Sequence, residues 1–484
     1  MQESRIAPGN ELASERADFD IAVIGAGPGG YIAAIYGARQ GAKVVLIEKD
    51  TAGGTCLNRG CIPTKALIRT TEIYKTLQEA NRYGCQADNI RVDYKRAVAR
   101  KDRVVGGLVK GVQSLLDKGG VTVLHGSGEF IDGETIRVTQ GDQETLVKAR
   151  NIIIATGSEP ADLPIPGASL DFVMDSTQAL ELEALPPTLV IIGGGVIGME
   201  FAFIFGRLGV KVTLIEYLDE VLALLDSDLT QEAVRNARMA GVKLNTNAKV
   251  TSIEQGPSGQ AVVHFENVDT GETIPSVTAD KVLMAVGRRP FLNGLGVTEL
   301  GLELQPRGRG IKVNDMMQTN IENIYAIGDV TGGMMLAHVA SHQAIVAVDN
   351  IMGRNNIMDY RAVPNAIFTD PEIATVGLSE REAAAHGLEI RVGRFPFAGN
   401  GKALALGNSR GFVKLITDPE TGIVLGGGIV GPGATDLIAE VTLAVQHELT
   451  AQQVASTIHA HPTLPEAILE AAWAAGSGAL HLAD

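Results

Sequence analysis

Two of the three cysteines lie in one short stretch, GGTCLNRGCIPTK, and a lysine follows the second of them by four residues. In a regular helix, residues five apart are separated by roughly 8 Å, whereas a disulfide requires Cα atoms within about 7 Å. A Cys56–Cys61 bridge therefore predicts a distorted turn, which Gly60 and Pro63 could supply. If a helix continues, Lys65 shares a face with Cys61, where a cation stabilises a thiolate. We interpret the pair as a redox disulfide that opens and closes.

Other interpretations of the two cysteines are a structural bridge, two buried thiols or part of a zinc site. Structural disulfides are uncommon in a long chain without an export signal. A zinc site would need two further ligands at a fitting spacing, and no such His or Cys pair stands nearby in the sequence. We therefore expect no metal here.

A second pattern, typical of dinucleotide-binding βαβ units, occurs twice with a constant offset of 168 residues. Each copy has a buried-type strand, a GxGxxG, a helix and a second strand that ends in an acid. The copies carry Gly25, Gly27, Gly30 and Glu48, and then Gly193, Gly195, Gly198 and Glu216. The glycines let the backbone approach a pyrophosphate, and the acid binds the ribose hydroxyls. An acid at Glu216 favours NAD over NADP.

Asp329 and the pair His461 and Glu466 each allow two interpretations. Asp329 ends a short apolar run, where it could bind a ligand at a sheet edge or cap the next helix. His461 could be a base for thiol–disulfide exchange, oriented by Glu466. The run Thr463–Glu466 is also a capping box, in which Glu466 would only begin a helix.

The whole chain has 484 residues, is 45% hydrophobic and has a formal net charge of −15. The length predicts about three domains. The negative charge argues against nucleic acid and anionic membranes as partners. Residues 1–18 are polar and predict a loose arm, and no apolar run is long enough to span a bilayer. We expect a cytoplasmic protein.

These motifs resemble the FAD-dependent pyridine nucleotide–disulfide oxidoreductases, over about residues 19–472. GGTCLNRGCIPTK and the C-terminal HAHPTLPEA carry most of the resemblance. It implies an α/β chain with two Rossmann-like domains, for FAD and NAD, and a C-terminal α+β dimerisation domain. We place the arm at 1–18, the FAD domain at 19–159 and 287–358, the NAD domain at 160–286, and the dimerisation domain at 359–484.

The resemblance also implies roles for single residues. Lys65 and Glu200 would pair beside the flavin, Cys56 would exchange with substrate, and Cys61 would face the flavin. His461 would be the base and Glu466 its partner. Along FAD we expect Gly25, Gly27, Gly30, Glu48, Lys65, Gly128, Thr156, Gly157, Asp329 and Ala337, and around NAD Gly193, Gly195, Gly198, Glu216, Val250 and Gly287.

The implied activity is the oxidation of protein-bound dihydrolipoamide, with the hydride passed to NAD. The implied partners are a second copy of the chain, in a homodimer, and the lipoylated carrier of a 2-oxoacid dehydrogenase or glycine cleavage complex. Two alternatives stay open at this point. One is another reductase of the family, similar to glutathione or mercuric reductase, and the other is a non-catalytic structural subunit with the same fold.

Overall fold

The structure is a computed structural model, and it describes residues 17–482. The predicted arm 1–18 thus lies outside the described residues, apart from its last two. The strands are β1 (Phe19–Ile24), β2 (Val44–Glu48), β3 (Thr122–His125), β4 (Ser127–Phe130), β5 (Thr135–Gln140), β6 (Gln143–Ile154), β7 (Ser158–Pro160), β8 (Val173–Met174), β9 (Thr188–Ile192), β10 (Lys211–Ile215), β11 (Lys243–Asn245), β12 (Ala248–Gln255), β13 (Ala261–Asn267), β14 (Thr273–Ala279), β15 (Lys281–Met284), β16 (Arg288–Pro290), β17 (Ile324–Ala326), β18 (Asn365–Ile367), β19 (Glu372–Gly377), β20 (Arg391–Pro396), β21 (Phe412–Thr417) and β22 (Val424–Gly431).

The helices are α1 (Pro28–Arg39), α2 (Gly54–Arg59), α3 (Cys61–Gln78), α4 (Tyr94–Lys118), α5 (Ser176–Leu180), α6 (Val196–Arg207), α7 (Ser227–Met239), α8 (Ala337–Ile351), α9 (Glu380–His386), α10 (Gly401–Ala405), α11 (Ala434–Gln446), α12 (Ala451–Ser456) and α13 (Glu466–Ala474). The sequence pattern predicts a helix over 31–40, and helix α1 begins three residues earlier. Pro28 is its first residue, because a proline there loses no hydrogen bond and its φ suits a helix.

The first compact unit comprises the described residues up to 54, together with 111–157 and 290–358. Its sheet has a parallel part in the order β3-β2-β1-β6-β17, and β5 and β4 continue antiparallel from the first half of β6. Strands β1 and β2 are almost continuously apolar, as expected for parallel strands covered on both faces.

The second compact unit comprises 55–110, 158–289 and the described residues from 359 onward. It contains a parallel five-stranded sheet in the order β11-β10-β9-β15-β8. The strand order β11-β10-β9-β15 repeats the order β3-β2-β1-β6 of the first unit. The α/β prediction with two Rossmann-like sheets is confirmed.

The same unit contains two antiparallel sheets. One is β12-β13-β14, and the other is the five-stranded sheet β18-β19-β22-β21-β20. Helices α11, α12 and α13 pack with this last sheet in one apolar core that includes Ile438, Val454 and Ile468. The family resemblance implied this C-terminal α+β region.

The compact units divide the chain at 54/55, 110/111, 157/158, 289/290 and 358/359. Residues 55–110 group with the second unit, whereas we placed them in the first predicted domain. The domain limits given above stay a prediction.

Candidate functional site

The two cysteines of the conspicuous stretch form a disulfide, with Cα atoms 4.7 Å apart. The helix breaks between them: α2 ends at Arg59 and α3 begins at Cys61. Gly60 lies at the break with φ −142° and ψ −106°, outside the helical region. The predicted distorted turn is therefore present, and Gly60 supplies it.

The break also makes the two sulfurs unequal. Cys61 is the first residue of the 18-residue helix α3. Unpaired backbone N–H groups and the helix dipole favour negative charge at that position. Cys56 lies inside the six-residue helix α2 and has no comparable helix end. Cys61 is thus the sulfur better placed to carry a thiolate.

Lys65 follows Cys61 by one helical turn and pairs with a buried glutamate. Its Nζ lies 2.9 Å from Oε1 and 3.0 Å from Oε2 of Glu200 on α6. The Glu200 side chain is 4% exposed, so its charge is shielded from water and needs this partner. A third residue, Phe368, completes the group: its N–H donates to Glu200 Oε1, and its ring lies 4.6 Å from Lys65 Nζ. Sequence reasoning missed Phe368, since nothing local in its sequence links it to Lys65.

In the first glycine-rich turn, Gly25 has φ +99° and Gly30 packs against it. A Cβ on Gly25 would clash with the carbonyl group of Ala155, and one on Gly30 would clash with the carbonyl oxygen of Gly25. Glu48 then closes the turn, because Oε2 accepts the N–H of Ala26 at 2.6 Å and Oε1 accepts the N–H of Asp50 at 2.8 Å.

The second turn repeats these contacts in the same positions. Gly193 has φ +105°, and its Cβ would clash with the carbonyl group of Ala285. A Cβ on Gly198 would clash with the carbonyl oxygen of Gly193. Glu216 accepts the N–H groups of Gly194 and Leu218. The repeat found in the sequence is therefore a repeat of hydrogen bonds.

The middle glycine of each turn, Gly27 and Gly195, has open space where a Cβ would stand, unlike the glycines on either side. A Cβ on Gly195 would meet no protein atom within 4 Å, and one on Gly27 would only touch the Cα of Gly54, at 4.0 Å. Both residues lie directly before a helix, α6 and α1. Protein packing does not require glycine at these two positions, whereas the approach of a pyrophosphate to the helix N-terminus does. The residues present thus fit a dinucleotide at each turn.

Of the residues predicted along FAD, Lys65 lies in the second compact unit, and the others lie in the first. Gly128, on β4, lies over Ile24, Ile47 and Ile136, and a Cβ there would be 3.2–3.5 Å from their side chains. The Thr156 hydroxyl donates to the carbonyl oxygen of Phe291, and the N–H of Phe291 donates to Gly157 O at 2.9 Å.

Asp329 lies in a short turn (Gly328–Thr331) after β17, and Ala337 is the first residue of α8. The residue before α8 is Leu336, and no side-chain hydrogen bond caps that helix. The capping interpretation of Asp329 is therefore wrong for α8. Gln343, which sequence reasoning did not assign, accepts the N–H of Gly328 at 2.6 Å and holds this turn.

The remaining residues predicted around NAD lie in the second unit, near its glycine turn. Gly287 follows β15 with φ +109°, and its carbonyl oxygen accepts the N–H of Ala161. Val250 is buried in the core around β12, which begins where the N–H of Ala248 donates to Glu216 O. Its side chain is part of that core, so its backbone is the part able to meet a ligand.

His461 and Glu466 are hydrogen-bonded, with Nδ1 2.8 Å from Oε1. The other oxygen of Glu466 accepts the N–H of Thr463 at 2.8 Å. Partial burial would raise the pKa of Glu466, but these hydrogen bonds and the His461 ring lower it below its ordinary value. The predicted capping box is wrong, because Pro465 precedes α13, no side chain caps that helix, and the Thr463 hydroxyl donates to Ala460 O. Glu466 is the first residue of α13, and its hydrogen bond to the ring fits the other interpretation, which stays a prediction. Since Nδ1 faces a carboxylate, Nε2 is the nitrogen available as a base, on a ring that is 79% exposed in the single chain.

Among the described residues, one acidic cluster has the spacing of a cation site, namely Asp226, Asp228 and Glu380. The ammonium group of Lys414 lies within 2.9 Å of all three carboxylates, and its side chain is 1% exposed. Burial alone would lower the pKa of Lys414, and the carboxylates more than offset that, so the pKa is raised. This cluster therefore holds a lysine of the chain itself. Between residues 17 and 482, no helix is long and apolar enough to cross a membrane.

Comparisons with known proteins agree with the geometry. Residues 19–344 match the family described as pyridine nucleotide-disulphide oxidoreductase, and residues 363–472 match its dimerisation domain. The chain is 43% identical to a dihydrolipoyl dehydrogenase of Chlamydia pneumoniae, covering 96% of this chain and 98% of that one. It is 41% identical to a dihydrolipoyl dehydrogenase of Geobacillus stearothermophilus, covering 95% and 97%.

Solved structures show the same likeness. LpdA from Mycobacterium tuberculosis superposes with a TM-score of 0.87 at 31% identity, covering 94% of this chain and 99% of that one. The HOCl-induced flavoprotein disulfide reductase RclA from Escherichia coli, as its Cu(II) complex, superposes with a TM-score of 0.84 at 30% identity, covering 94% and 98%.

Proposed function

Because this chain belongs to the pyridine nucleotide-disulphide oxidoreductase family, we propose that it oxidises protein-bound dihydrolipoamide with FAD and NAD, as a dihydrolipoyl dehydrogenase does. The observation that carries the proposal is the Cys56–Cys61 disulfide at the N-terminus of α3, with Lys65 one turn later. Relatives that carry this name are 41–43% identical over nearly the whole chain.

The chain's own residues would hold the two cofactors at the two glycine turns. The first turn, with Glu48, Gly128, Thr156, Gly157, Asp329 and Ala337, would hold FAD, and the second, with Glu216, Val250 and Gly287, would hold NAD. Bound FAD would supply the acceptor for the two electrons of the reduced cysteine pair, and bound NAD would supply the final hydride acceptor. At Glu216 the carboxylate would accept a ribose hydroxyl and repel a 2′-phosphate, so NAD is preferred over NADP.

The exchange begins at His461. Nε2 takes the proton of one substrate thiol, while Glu466 holds Nδ1 and stabilises the charged ring. The resulting thiolate attacks Sγ of Cys56. The Cys56–Cys61 bond breaks, a substrate–Cys56 disulfide forms, and Cys61 leaves as a thiolate. The N-terminus of α3 and the ammonium group of Lys65 stabilise that leaving group.

The second substrate thiol completes the exchange. Its sulfur attacks the substrate sulfur of the mixed disulfide, which closes the substrate disulfide and releases Cys56. The proton of this second thiol ends on Cys56, and the first proton stays on His461. The substrate has then lost two electrons, and the cysteine pair has gained them.

The match to the dimerisation domain supports a homodimer. In the proposed dimer, the disulfide of one subunit works with His461 and Glu466 of its partner. The substrate would be the lipoylated carrier protein of a 2-oxoacid dehydrogenase or glycine cleavage complex. A cytoplasmic location completes the proposal, since a disulfide that opens in every cycle tolerates a reducing compartment.

A second candidate function is that of another disulfide reductase in the family. The likeness to RclA favours this second candidate. Its sequence identity is 30%, however, whereas the dihydrolipoyl dehydrogenase of Chlamydia pneumoniae is 43% identical and favours the first. Mercuric and large thioredoxin reductases would require a second C-terminal thiol pair, and only Cys85 remains beyond Cys56 and Cys61. A non-catalytic subunit is the third alternative, which the intact set of chemical residues disfavours.

The test is an assay of the FAD-loaded protein with four substrate pairs. Dihydrolipoamide or reduced glutathione is offered with NAD or NADP, and the reduced nucleotide is followed by absorbance. We expect turnover with dihydrolipoamide and NAD, and much lower efficiency with the other three pairs. Comparable efficiency with NADP would contradict the role of Glu216, and turnover confined to glutathione would establish the second candidate.

A further inference from the structure

The turn that joins β18 to β19 (residues 368–371) contacts two helices that carry the proposed chemistry. Phe368 lies in this turn, far along the chain from the disulfide, within the residues that match the dimerisation domain. Its ring packs with the apolar core that includes Leu67 of α3 and Phe203 of α6. The C-terminal part of the chain thus packs with the disulfide helix at this turn.

Phe368 contacts both members of the Lys65–Glu200 pair. Its N–H donates to Glu200 Oε1 at 3.2 Å, the same oxygen that accepts Lys65 Nζ at 2.9 Å. Its ring lies 4.6 Å from Nζ, within the range of a cation–π contact. The ammonium group therefore lies between a carboxylate and an aromatic face, and it is limited to a narrow set of positions.

Two residues later, the same turn makes a second contact with the same two helices. Asp370 pairs with Lys75 of α3 at 2.6 Å and with Arg207 of α6. Lys75 is ten residues beyond Lys65, and Arg207 is seven beyond Glu200. Burial, and then the charge of Arg207, lower the pKa of Lys75, as expected where two cations share one carboxylate. The turn therefore connects α3 to α6 at two separate places.

We propose that Phe368 is a positioning residue for the reaction, which holds the Lys65 ammonium group where it stabilises the Cys61 thiolate, while Asp370 only joins the helices. The inference rests on the proposed function, in which that thiolate forms. Without the ring, the ammonium group would still pair with Glu200 but would sample more positions. Its average attraction for a negative charge one turn away at Cys61 would fall.

The experiment uses the FAD-loaded dimer carrying Cys56→Ser, in which Cys61 cannot form the disulfide. A Cys61 thiolate beside the flavin gives a long-wavelength absorbance, whose pH midpoint reports how strongly the thiolate is stabilised. Adding Phe368→Leu keeps the backbone N–H and most of the volume but removes the aromatic face. We expect the midpoint to rise by about half a pH unit, and Phe368→Tyr, which retains the face, to leave it unchanged.

The matched control is Asp370→Asn in the same background. It removes the charge of the second contact, so we expect a lower melting temperature with an unchanged pH midpoint. If Phe368→Leu lowers the melting temperature and leaves the midpoint in place, Phe368 is only structural and the inference is overturned. If Cys56→Ser itself shows no pH-dependent absorbance, the proposed function is at fault, and not the role of Phe368.

Discussion

Glu466 uses its two oxygens for two different contacts: Oε1 contacts Nδ1 of His461, and Oε2 accepts the backbone N–H of Thr463, three residues before α13 begins. A glutamine at this position could still accept one of these hydrogen bonds but would carry no charge. Since a carboxylate stabilises the protonated ring, the base is weaker without it.

We therefore predict that Glu466→Gln lowers kcat for dihydrolipoamide by a factor on the order of 10², with a smaller change in KM. Steady-state kinetics of the loaded dimer measure this. Glu470 is a fitting control, because it lies one turn along the same helix and binds His481 rather than His461. Equal losses for Glu466→Gln and Glu470→Gln would show that the effect comes from α13 as a whole.

The depressed pKa of Glu466 predicts a pH dependence of stability. A carboxyl group whose folded pKa lies below its unfolded value stabilises the fold above that unfolded value. The contribution is lost as the pH falls through the folded pKa. The melting temperature of the wild type should therefore exceed that of Glu466→Gln at pH 6, and the difference should shrink at acidic pH below the ordinary glutamate range. A difference that grows on acidification would contradict this assignment.

Alanine substitutions at two glycines of the second turn should affect different properties, stability at Gly198 and NAD binding at Gly195. Gly198→Ala places a Cβ against Gly193 O, so we expect a destabilised fold even without nucleotide. Gly195→Ala meets no protein atom, so we expect unchanged stability but weakened NAD binding, by tenfold or more if a pyrophosphate approaches there. Thermal melts without nucleotide and NAD titrations separate the two effects. Normal NAD binding by Gly195→Ala would remove the second turn as the nucleotide site.

Because the two sulfurs lie at different positions relative to α3, we expect their serine variants to differ in absorbance. Cys56→Ser leaves Cys61 at the start of α3, so we expect the long-wavelength absorbance of a thiolate beside flavin without substrate, and no turnover. Cys61→Ser should lack both the absorbance and the turnover. Absorbance spectra of the loaded proteins at pH 8 measure this. The reverse pattern would mean that Cys56 faces the flavin.

A site shared between subunits predicts recovery of activity in mixed dimers. Cys56→Ser and His461→Ala homodimers each have two defective sites. A hybrid of the two mutants combines both lesions in one site and leaves the other complete, so its activity should approach half of the wild-type value. Two different affinity tags isolate the hybrid before assay. If His461 acted on the disulfide of its own chain, every site of the hybrid would carry one lesion and the hybrid would stay inactive.

Local sequence patterns were sufficient to predict most of the helices and strands. The patterns predict strands over 188–192 and 211–215 and a helix over 451–456, and β9, β10 and α12 have these limits, whereas other elements differ by a few residues. Apolar runs and glycine turns depend on residues close together in the chain, so they can be recognised in one dimension. The same holds for the redox stretch, where the five-residue separation predicted a distorted turn that Gly60 and Pro63 could supply, and the break lies at Gly60.

Contacts between distant residues depended on how the sheets and helices pack. Phe368 lies 303 positions from Lys65 and 168 from Glu200, and no local pattern links the three. The acids at 226, 228 and 380 meet around Lys414 for the same reason, since three separate segments must pack before the charges approach. The sequence by itself determined which chemical groups the chain has and how each turn is built. The tertiary structure decided which of those groups meet, because the backbone brings distant side chains together only once its apolar faces are buried.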